Sequence, residues 1–349
     1  MKILHIVRQY GPVGGMERYA LEVTKAQAEL GANVHVLCEQ CHGEPPENVL
    51  IHRLGQGIRK PRWLSALLFS LKVTAWIKDH PQPNTIIHSH ETTGVHHITT
   101  FHGPPFARIL QCGWWKRLSL RVNANLWLEK RELCGQQVQK ISPNSELIAQ
   151  ELLDAYPEIE QRLTRPVVPG VEPGVVRADR KIPTTGGIIG FIGKEWKRKG
   201  LDRAVKIVEQ LREKRPDCEL WVLGPDPEKV FHLFSHWQGG YRLLGLTETR
   251  EILPQMDLLL HPARREPFGM VITEALATQV PVVVSNQCGA AKEVGELQGS
   301  VLDEHAATTD WVTACNELLN RNTSLPPYQH SWQDVAREYL DIYASIRLK

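Results

Sequence analysis

The sequence predicts an α/β protein made of two doubly wound, Rossmann-like domains. Three observations lead there. Apolar runs of strand length alternate with stretches of helical spacing. The rhythm breaks once, at Val167-Val168-Pro169-Gly170-Val171-Glu172-Pro173-Gly174, and restarts at Gly187. A chain of 349 residues is also long for one core and comfortable for two. One domain is therefore expected over residues 1–168 and a second over 169–330, with a last amphipathic helix within 331–349.

The first domain opens with Ile3-Leu4-His5-Ile6-Val7, a buried parallel strand. A glycine-rich loop with the pair Gly14-Gly15 follows, then helical spacing from Tyr19 to Leu30, stopped by Gly31. The loop lacks the G-x-G-x-x-G dinucleotide spacing. On its residues alone it is either a tight turn or a loop whose amides reach a ligand. Strands are expected at Asn33 to Cys38, Val49 to Leu54, Thr85 to Ser89 and Ile98 to Phe101, with a helix from Trp63 to Ile77. His102 stands at the carboxyl end of the last strand, where doubly wound domains meet substrate; a hydrogen-bonded structural histidine is the alternative. His88, His90, His96 and His97 read as mostly structural, although His90 also ends a strand.

Within residues 106–133 a helix is expected through Trp114 to Trp127. Trp115, Leu118, Val122 and Leu126 would form one stripe, flanked by Arg117 and Arg121. Aromatic and basic residues so arranged suit an anionic bilayer surface; a helix packed on its domain with solvated arginines is the alternative. Val138 to Ser142 reads as a strand. Asn144 or Ser145 caps a helix running to about Leu153.

The second domain restarts with the strand Gly187 to Gly193. The charged run Lys194-Glu195-Trp196-Lys197-Arg198-Lys199-Gly200-Leu201-Asp202 leads into a helix to about Lys214. Strands follow at Glu219 to Leu223 and Tyr241 to Leu246, then a short helix at Thr247 to Gln255. Leu258-Leu259-Leu260 is a strand ending at His261-Pro262. After it comes Arg264-Arg265-Glu266-Pro267-Phe268-Gly269-Met270-Val271-Ile272-Thr273-Glu274, then the strand Pro281 to Val284. The helix here should start near Gly269 or Met270, and a helix start attracts anions through its unpaired amides and dipole. Glu274 lies one turn on from Met270. Two carboxylates beside an anion cradle suit a ligand carrying both phosphates and hydroxyls, as a nucleotide-sugar does. A small-residue turn from Ser285 to Ala291 and helices at Trp311 to Leu319 and Trp332 to Ile346 complete the chain.

The totals exclude several classes. A net charge of +2 creates no large field for nucleic acid. No apolar run reaches the roughly 18 residues of a membrane span. Seven scattered cysteines read as a reduced cytosolic chain rather than a disulfide scaffold. Cys38-Glu39-Gln40-Cys41-His42 spells a haem-attachment string, but no secretory leader is expected in Met1 to Val7, and no second pair is spaced for zinc.

A Glu, seven residues, then a Glu, with Phe268-Gly269-Met270 between, resembles the signature of retaining GT-B glycosyltransferases, family 4 in particular. With Gly14-Gly15, the Arg198-Lys199-Gly200-Leu201-Asp202-Arg203 run and the basic aromatic segment near Trp114, the resemblance is to bacterial enzymes that build lipopolysaccharide core. It implies two Rossmann-like domains facing across a cleft, with the last helix packing back on the first. It implies that Arg198 and Lys199 face the donor diphosphate, that Glu274 binds ribose hydroxyls and Glu266 sugar hydroxyls, and that Gly245 grips the base with backbone atoms. Phe268, Gly269 and Met270 complete the donor pocket. Gly14 and Gly15 reach the diphosphate or the acceptor, and His102 faces the substrate. Many members carry Arg where Lys194 stands here, which leaves Lys194 without a firm role.

The chemistry implied is transfer of a hexose from a nucleotide-sugar, UDP-glucose by family weight, to a lipopolysaccharide-core or other cell-envelope glycan. Soluble glycans and exopolysaccharide lipid intermediates are alternative acceptors. No Asp-x-Asp occurs in the sequence, so a metal-independent reaction with no cofactor is expected. Contact with an anionic membrane is expected through segments 59–78 and 106–133, placing the protein in the cytoplasm, peripheral on the inner face of the membrane. Rival readings are a GT-B epimerase or phosphorylase, a dinucleotide oxidoreductase, and a non-catalytic membrane-surface protein.

Overall fold

The computed structural model describes residues 1–58, 60–177, 181–321 and 325–348, apart from the side chains of Cys112, Trp114 and Arg117. The chain divides into two compact units, Met1–Gly170 with Trp332–Lys349, and Val171–Ser331.

The first unit contains β1 (Lys2–Ile6), β2 (Gln9–Tyr10), α1 (Gly15–Glu29), β3 (Asn33–Cys38), β4 (Gln40–Cys41), β5 (Val49–Arg53), α2 (Arg62–Asp79), β6 (Thr85–Ser89), β7 (Ile98–Phe101), α3 (Leu120–Cys134), β8 (Lys140–Pro143) and α4 (Glu146–Ala155). Its main sheet is parallel, in the order β5-β3-β1-β6-β7-β8. Strand order reverses between β1 and β6, which makes their carboxyl ends a topological switch point. Alternation along the strands gives the sheet two unlike faces. Leu4, Ile6 and Ile87 pack with Phe69 and Val73 of α2. The other face carries His5, His88, Thr100 and Ser142, all at most 1% exposed. His5 faces His88 across β1 and β6, and Thr100 faces Ser142 across β7 and β8.

Three local expectations need correction. α1 begins at Gly15, not Tyr19: Gly14 is an extended cap and Glu17 sits favourably in the first turn. The helix expected through Trp114 to Trp127 is broken. Phe106–Cys112 and Trp114–Leu118 are 3₁₀ turns, and α3 starts only after the extended Ser119. Trp115 and Leu118 therefore do not share a helical stripe with Val122; they are 57% and 78% exposed while Val122 is buried. Third, the small parallel pair β2–β4 was not expected, and Cys41 of the haem-like string lies in it. Ser145, by contrast, caps α4 as expected, accepting from the Ile148 amide at 3.3 Å. Arg59 and the side chains of Trp114 and Arg117 lie outside the described residues.

The second unit contains β9 (Gly186–Ile192), α5 (Trp196–Lys199), α6 (Leu201–Leu211), β10 (Asp217–Leu223), α7 (Pro227–Val230), β11 (Tyr241–Gly245), α8 (Thr249–Ile252), β12 (Leu258–His261), α9 (Met270–Ala277), β13 (Val282–Ser285), β14 (Gly299–Leu302) and α10 (Thr308–Asn320). The parallel sheet runs β11-β10-β9-β12-β13-β14, with its switch point between β9 and β12. Ile189, Phe191, Leu220, Val222, Leu258 and Leu260 build its core with α6 and α10. The helix expected from the charged run is split at Gly200 and ends at Leu211. The strand Gly299-Ser300-Val301-Leu302 was not expected: it is a short edge strand with no fully buried residue.

α11 (Trp332–Ala344) returns to the first unit and buries Val335, Ala336, Tyr339 and Tyr343 there against α1 and the polar face of the sheet.

Candidate active site

The signature loop sits at the switch point of the second unit, just after β12. β12 delivers His261, fully buried and stacked near Phe191 at a ring separation of 6.3 Å. The loop is then laced to the segment after β13. The Glu266 amide donates to Gln287 O at 2.9 Å, the Gly289 amide to Glu266 O at 3.0 Å, and the Ala290 amide to Phe268 O at 2.9 Å. Phe268 is buried. Gly269, at φ 97°, caps α9 and itself supplies no side-chain cap. A Cβ there would come within 3.0 Å of Glu266 Cγ and Ile272 Cδ1.

Glu266 is 7% exposed and gathers the charge of the site. Lys199 Nζ lies 2.9 Å from Glu266 Oε2, an Arg198 guanidinium nitrogen 3.3 Å, and His261 Nε2 3.7 Å. Burial alone would raise the Glu266 carboxyl, but the His261 contact and the Lys199 and Arg198 cations outweigh it and hold the group below the usual carboxylate range. Burial pushes His261 down, so the ring is neutral near neutral pH. Neither of its nitrogens has a hydrogen bond among the described residues.

Lys199 reaches Glu266 because Gly193 leaves room. Gly193 follows β9 at φ 155°, and a Cβ there would fall 2.0 Å from Lys199 Cδ. Arg198 is held from two sides, donating to Arg265 O at 2.7 Å and to the Glu195 carboxylate at 2.5 Å. Arg264 then fixes the two loops together. It grips Asp202 with two bonds of 2.9 and 2.6 Å, donates to Lys197 O at 2.7 Å, and its amide donates to Arg198 O at 3.0 Å. That grip is the largest cause holding the Asp202 carboxyl low. The result is a preorganised pair of cations beside a carboxylate and a helix start, able to take a phosphate and a hydroxyl side by side.

The structure thus brings Glu266, Arg198, Lys199, Phe268, Gly269 and Met270 together. It also shows the cations paired with Glu266 itself, which the sequence reading had assigned to separate parts of the ligand. Glu274 is half-buried, one turn along α9 from Met270. Gly245 ends β11 at φ 61°, its carbonyl already accepting from the Gly224 amide at 2.6 Å. Lys194 is exposed. Sequence reasoning missed His261, Gly193 and the Asp202–Arg264 pair. The available signals were a histidine ending a buried strand and a glycine between that strand's neighbour and a cationic turn.

The remaining expected residues belong to the first unit. Gly14 caps α1 and Gly15 opens it, with the Arg18 amide donating to Gly14 O at 2.9 Å. His102 follows β7, its Nε2 3.0 Å from His90 Nδ1, and burial pushes it down to about 3. The ring nitrogens of His90 are both hydrogen-bonded, to His5 and to His102.

Residues 13–174 match the family described as Glycosyltransferase Family 4, and residues 186–321 match Glycosyl transferases group 1. The chain is 30% identical over 156 residues to the lipopolysaccharide glucosyltransferase WaaG of Escherichia coli (strain K12). That stretch spans 43% of this chain and 41% of WaaG, well under half of the relative's length. A crystal structure of WaaG, described as involved in lipopolysaccharide biosynthesis, superposes with a TM-score of 0.75 at 19% identity, covering 97% of this chain and 95% of that one. Anabaena Alr3699/HepE in complex with UDP-glucose superposes with a TM-score of 0.68 at 13% identity, covering 99% and 100%. Among the described residues no helix is long and apolar enough to cross a membrane. Two parallel-sheet units in this strand order, a signature loop at the second switch point and family matches over both halves lead to one conclusion: the chain belongs to the GT-B glycosyltransferases of family 4.

Proposed function

We propose that the chain transfers a hexose from a UDP-sugar to a cell-envelope glycan of the lipopolysaccharide-core class, with retention of configuration and without a divalent cation. The observation that carries this is the Lys199–Glu266–Arg198 cluster against the start of α9. As the glycosidic bond breaks, negative charge builds on the leaving diphosphate. Lys199, Arg198 and the first amides of α9 offer it fixed donors, each worth about 2.7–4 kcal/mol at the barrier by the measure of oxyanion-hole donors. Glu266, displaced from its cations by that phosphate, gains free lone pairs for sugar hydroxyls. Glu274 takes the ribose hydroxyls, and Gly245 the base. UDP is favoured because a structural neighbour was captured with UDP-glucose; the acceptor class follows from WaaG.

Supporting a peripheral position on the cytoplasmic membrane face, Trp115, Leu118, Leu120 and Trp127 are 51–78% exposed and lie close in sequence to the exposed Arg121. Exposed aromatic, aliphatic and basic residues within one stretch suit an anionic interface. Co-sedimentation with vesicles of anionic lipid should be lost in Trp115→Ser/Leu118→Ser; binding unchanged in that variant would remove the membrane part of the proposal. For the reaction, radiolabelled UDP-glucose and truncated lipopolysaccharide should give labelled product at the same rate with and without EDTA. A rate that collapses with EDTA contradicts the metal-free step, and transfer from no nucleotide-sugar contradicts the whole reading.

A further inference from the structure

The polar face of the first unit's sheet holds a single continuous hydrogen-bond chain whose direction can be worked out. It starts at a group that can only accept. Tyr19 donates to the Val167 carbonyl at 3.1 Å, so its one proton is used, and Tyr339 must donate to Tyr19 across 2.8 Å. Thr100 must then donate to Tyr339 across 2.6 Å. Ser142, 3.3 Å from Tyr339 Oη, adds a second donor to it. Thr100 in turn accepts from His88 Nε2–H at 2.7 Å. The His88 ring is buried and pushed well below its ordinary value, hence neutral. Its Nδ1 therefore accepts from Tyr343 Oη at 2.6 Å.

Tyr343 accepts in turn from Gln27 Nε2 at 3.2 Å, which turns Gln27 Oε1 toward His5 Nε2, 2.8 Å away. The amide orientation is thus dictated from the far end of the chain. His5 is neutral too, burial pushing it to about 4, so its Nδ1 is a bare acceptor for His90 Nε2–H at 3.1 Å. His90, likewise pushed low by burial, then offers Nδ1 to His102 Nε2–H at 3.0 Å. The last group, His102, is left with a bare Nδ1.

We infer that this chain, running from the Val167 carbonyl through Tyr19, Tyr339, Thr100, His88, Tyr343, Gln27, His5 and His90, locks His102 in its Nε2–H tautomer, so that Nδ1 is held as an acceptor for a substrate hydroxyl. The part concerning substrate rests on the transferase reading; the tautomer does not. α11 acquires a role beyond packing, because two of the fixing groups, Tyr339 and Tyr343, are its own. Gln27, His5, His90 and the tyrosines are positioning residues: they act through His102.

The facing nitrogens of His5, His88 and His90 also lie within 4.8 Å of one another, all buried. A cation there would need one lone pair from each ring. The chain commits every ring nitrogen of the three to a hydrogen bond, so hydrogen rather than metal is assigned to the cluster.

The test is a long-range 1H–15N correlation spectrum of the full chain labelled at histidine, near neutral pH and without substrate, with His102→Gln assigning the His102 signals. The wild type should show His102 protonated at Nε2. Gln27→Glu keeps an accepting oxygen toward His5 and should preserve that tautomer. Gln27→Met removes it and should yield a mixture, with kcat lowered about two- to tenfold and KM for the nucleotide-sugar unchanged. If Gln27→Met does not fold, Tyr343→Phe frees the same amide and should give the same mixture. Wild-type His102 protonated at Nδ1, a tautomer indifferent to the folded variant, or joint displacement of the His5, His88 and His90 signals by added Zn²⁺ would each overturn the inference. Because the spectra need no substrate, they succeed or fail separately from sugar-transfer assays, which report on the transferase reading.

Discussion

Two buried glutamates, one in each unit, show how differently the two halves handle polar groups. Glu132 in the first unit is 3% exposed, and its bonded partner is a neutral hydroxyl, Thr99 Oγ1 at 2.7 Å. Burial pushes its carboxyl up to about 8. Glu266 in the second unit is buried to a similar degree, yet Lys199 and Arg198 beside it, with His261, hold it ionised and low. Burial is nearly equal, so the neighbours decide the sign. The same contrast runs through the units. The first fills its polar face with neutral histidines, tyrosines and threonines in a hydrogen-bond chain; the second concentrates formal charge at its switch point. A neutral network orients a proton, whereas a charged cluster waits for a charged ligand.

Glu266→Gln should break the contrast most severely. It takes the carboxylate away from Lys199 and leaves Arg198 paired with Glu195 alone, and transfer should fall about 100-fold or more. A variant within a few-fold of wild type in kcat/KM would show that the charge is incidental. Gly193→Ala comes next. The added methyl would overlap Lys199 Cδ, so Lys199 should leave Glu266, with activity down about tenfold and a stability cost of about 1–3 kcal/mol, the scale of overpacking. An unchanged rate with a well-folded protein would mean that Lys199 need not cross Gly193.

The third test reads stability against pH and leaves activity aside. Glu132 has a folded pKa raised above its ordinary value of 4.5, so the folded state binds the extra proton. Its contribution is full below that value and is lost as pH rises through about 8. Glu132→Gln keeps the Thr99 bond and should flatten stability across that window, by about 1 kcal/mol per pH unit. Glu266 has the opposite sign: its contribution is present above the ordinary carboxyl value and lost as pH falls toward its depressed folded value. Chemical denaturation across pH in the two Gln variants reads both slopes, and slopes of the same sign would refute the comparison.

The fold was largely legible because most strands here are short apolar runs, several ending at or just before Gly, Pro or His, and strand existence depends on that local pattern. β14 escaped because Gly299 and Ser300 carry no apolar signal on an edge. The Trp114 to Trp127 helix misled for the opposite reason: its spacing was right, but Gly113 and Ser119 divide the segment into turns. At the site, Glu266, Lys199 and Gly269 were readable from the family string. Gly193 and the Asp202–Arg264 pair were not, since what they do depends on two loops meeting at β9 and β12, far apart in sequence. The histidine chain was invisible for the same reason. His5, His88, His90 and His102 look like scattered strand residues until parallel pairing puts them on one face with α1 and α11.

The most direct test of the central claim is a crystal structure of the chain soaked with UDP. The diphosphate should lie within hydrogen-bonding distance of Lys199 Nζ, the Arg198 guanidinium and the first amides of α9, with Glu266 released from its cations. UDP bound elsewhere, with the Lys199–Glu266 pair intact, would contradict it.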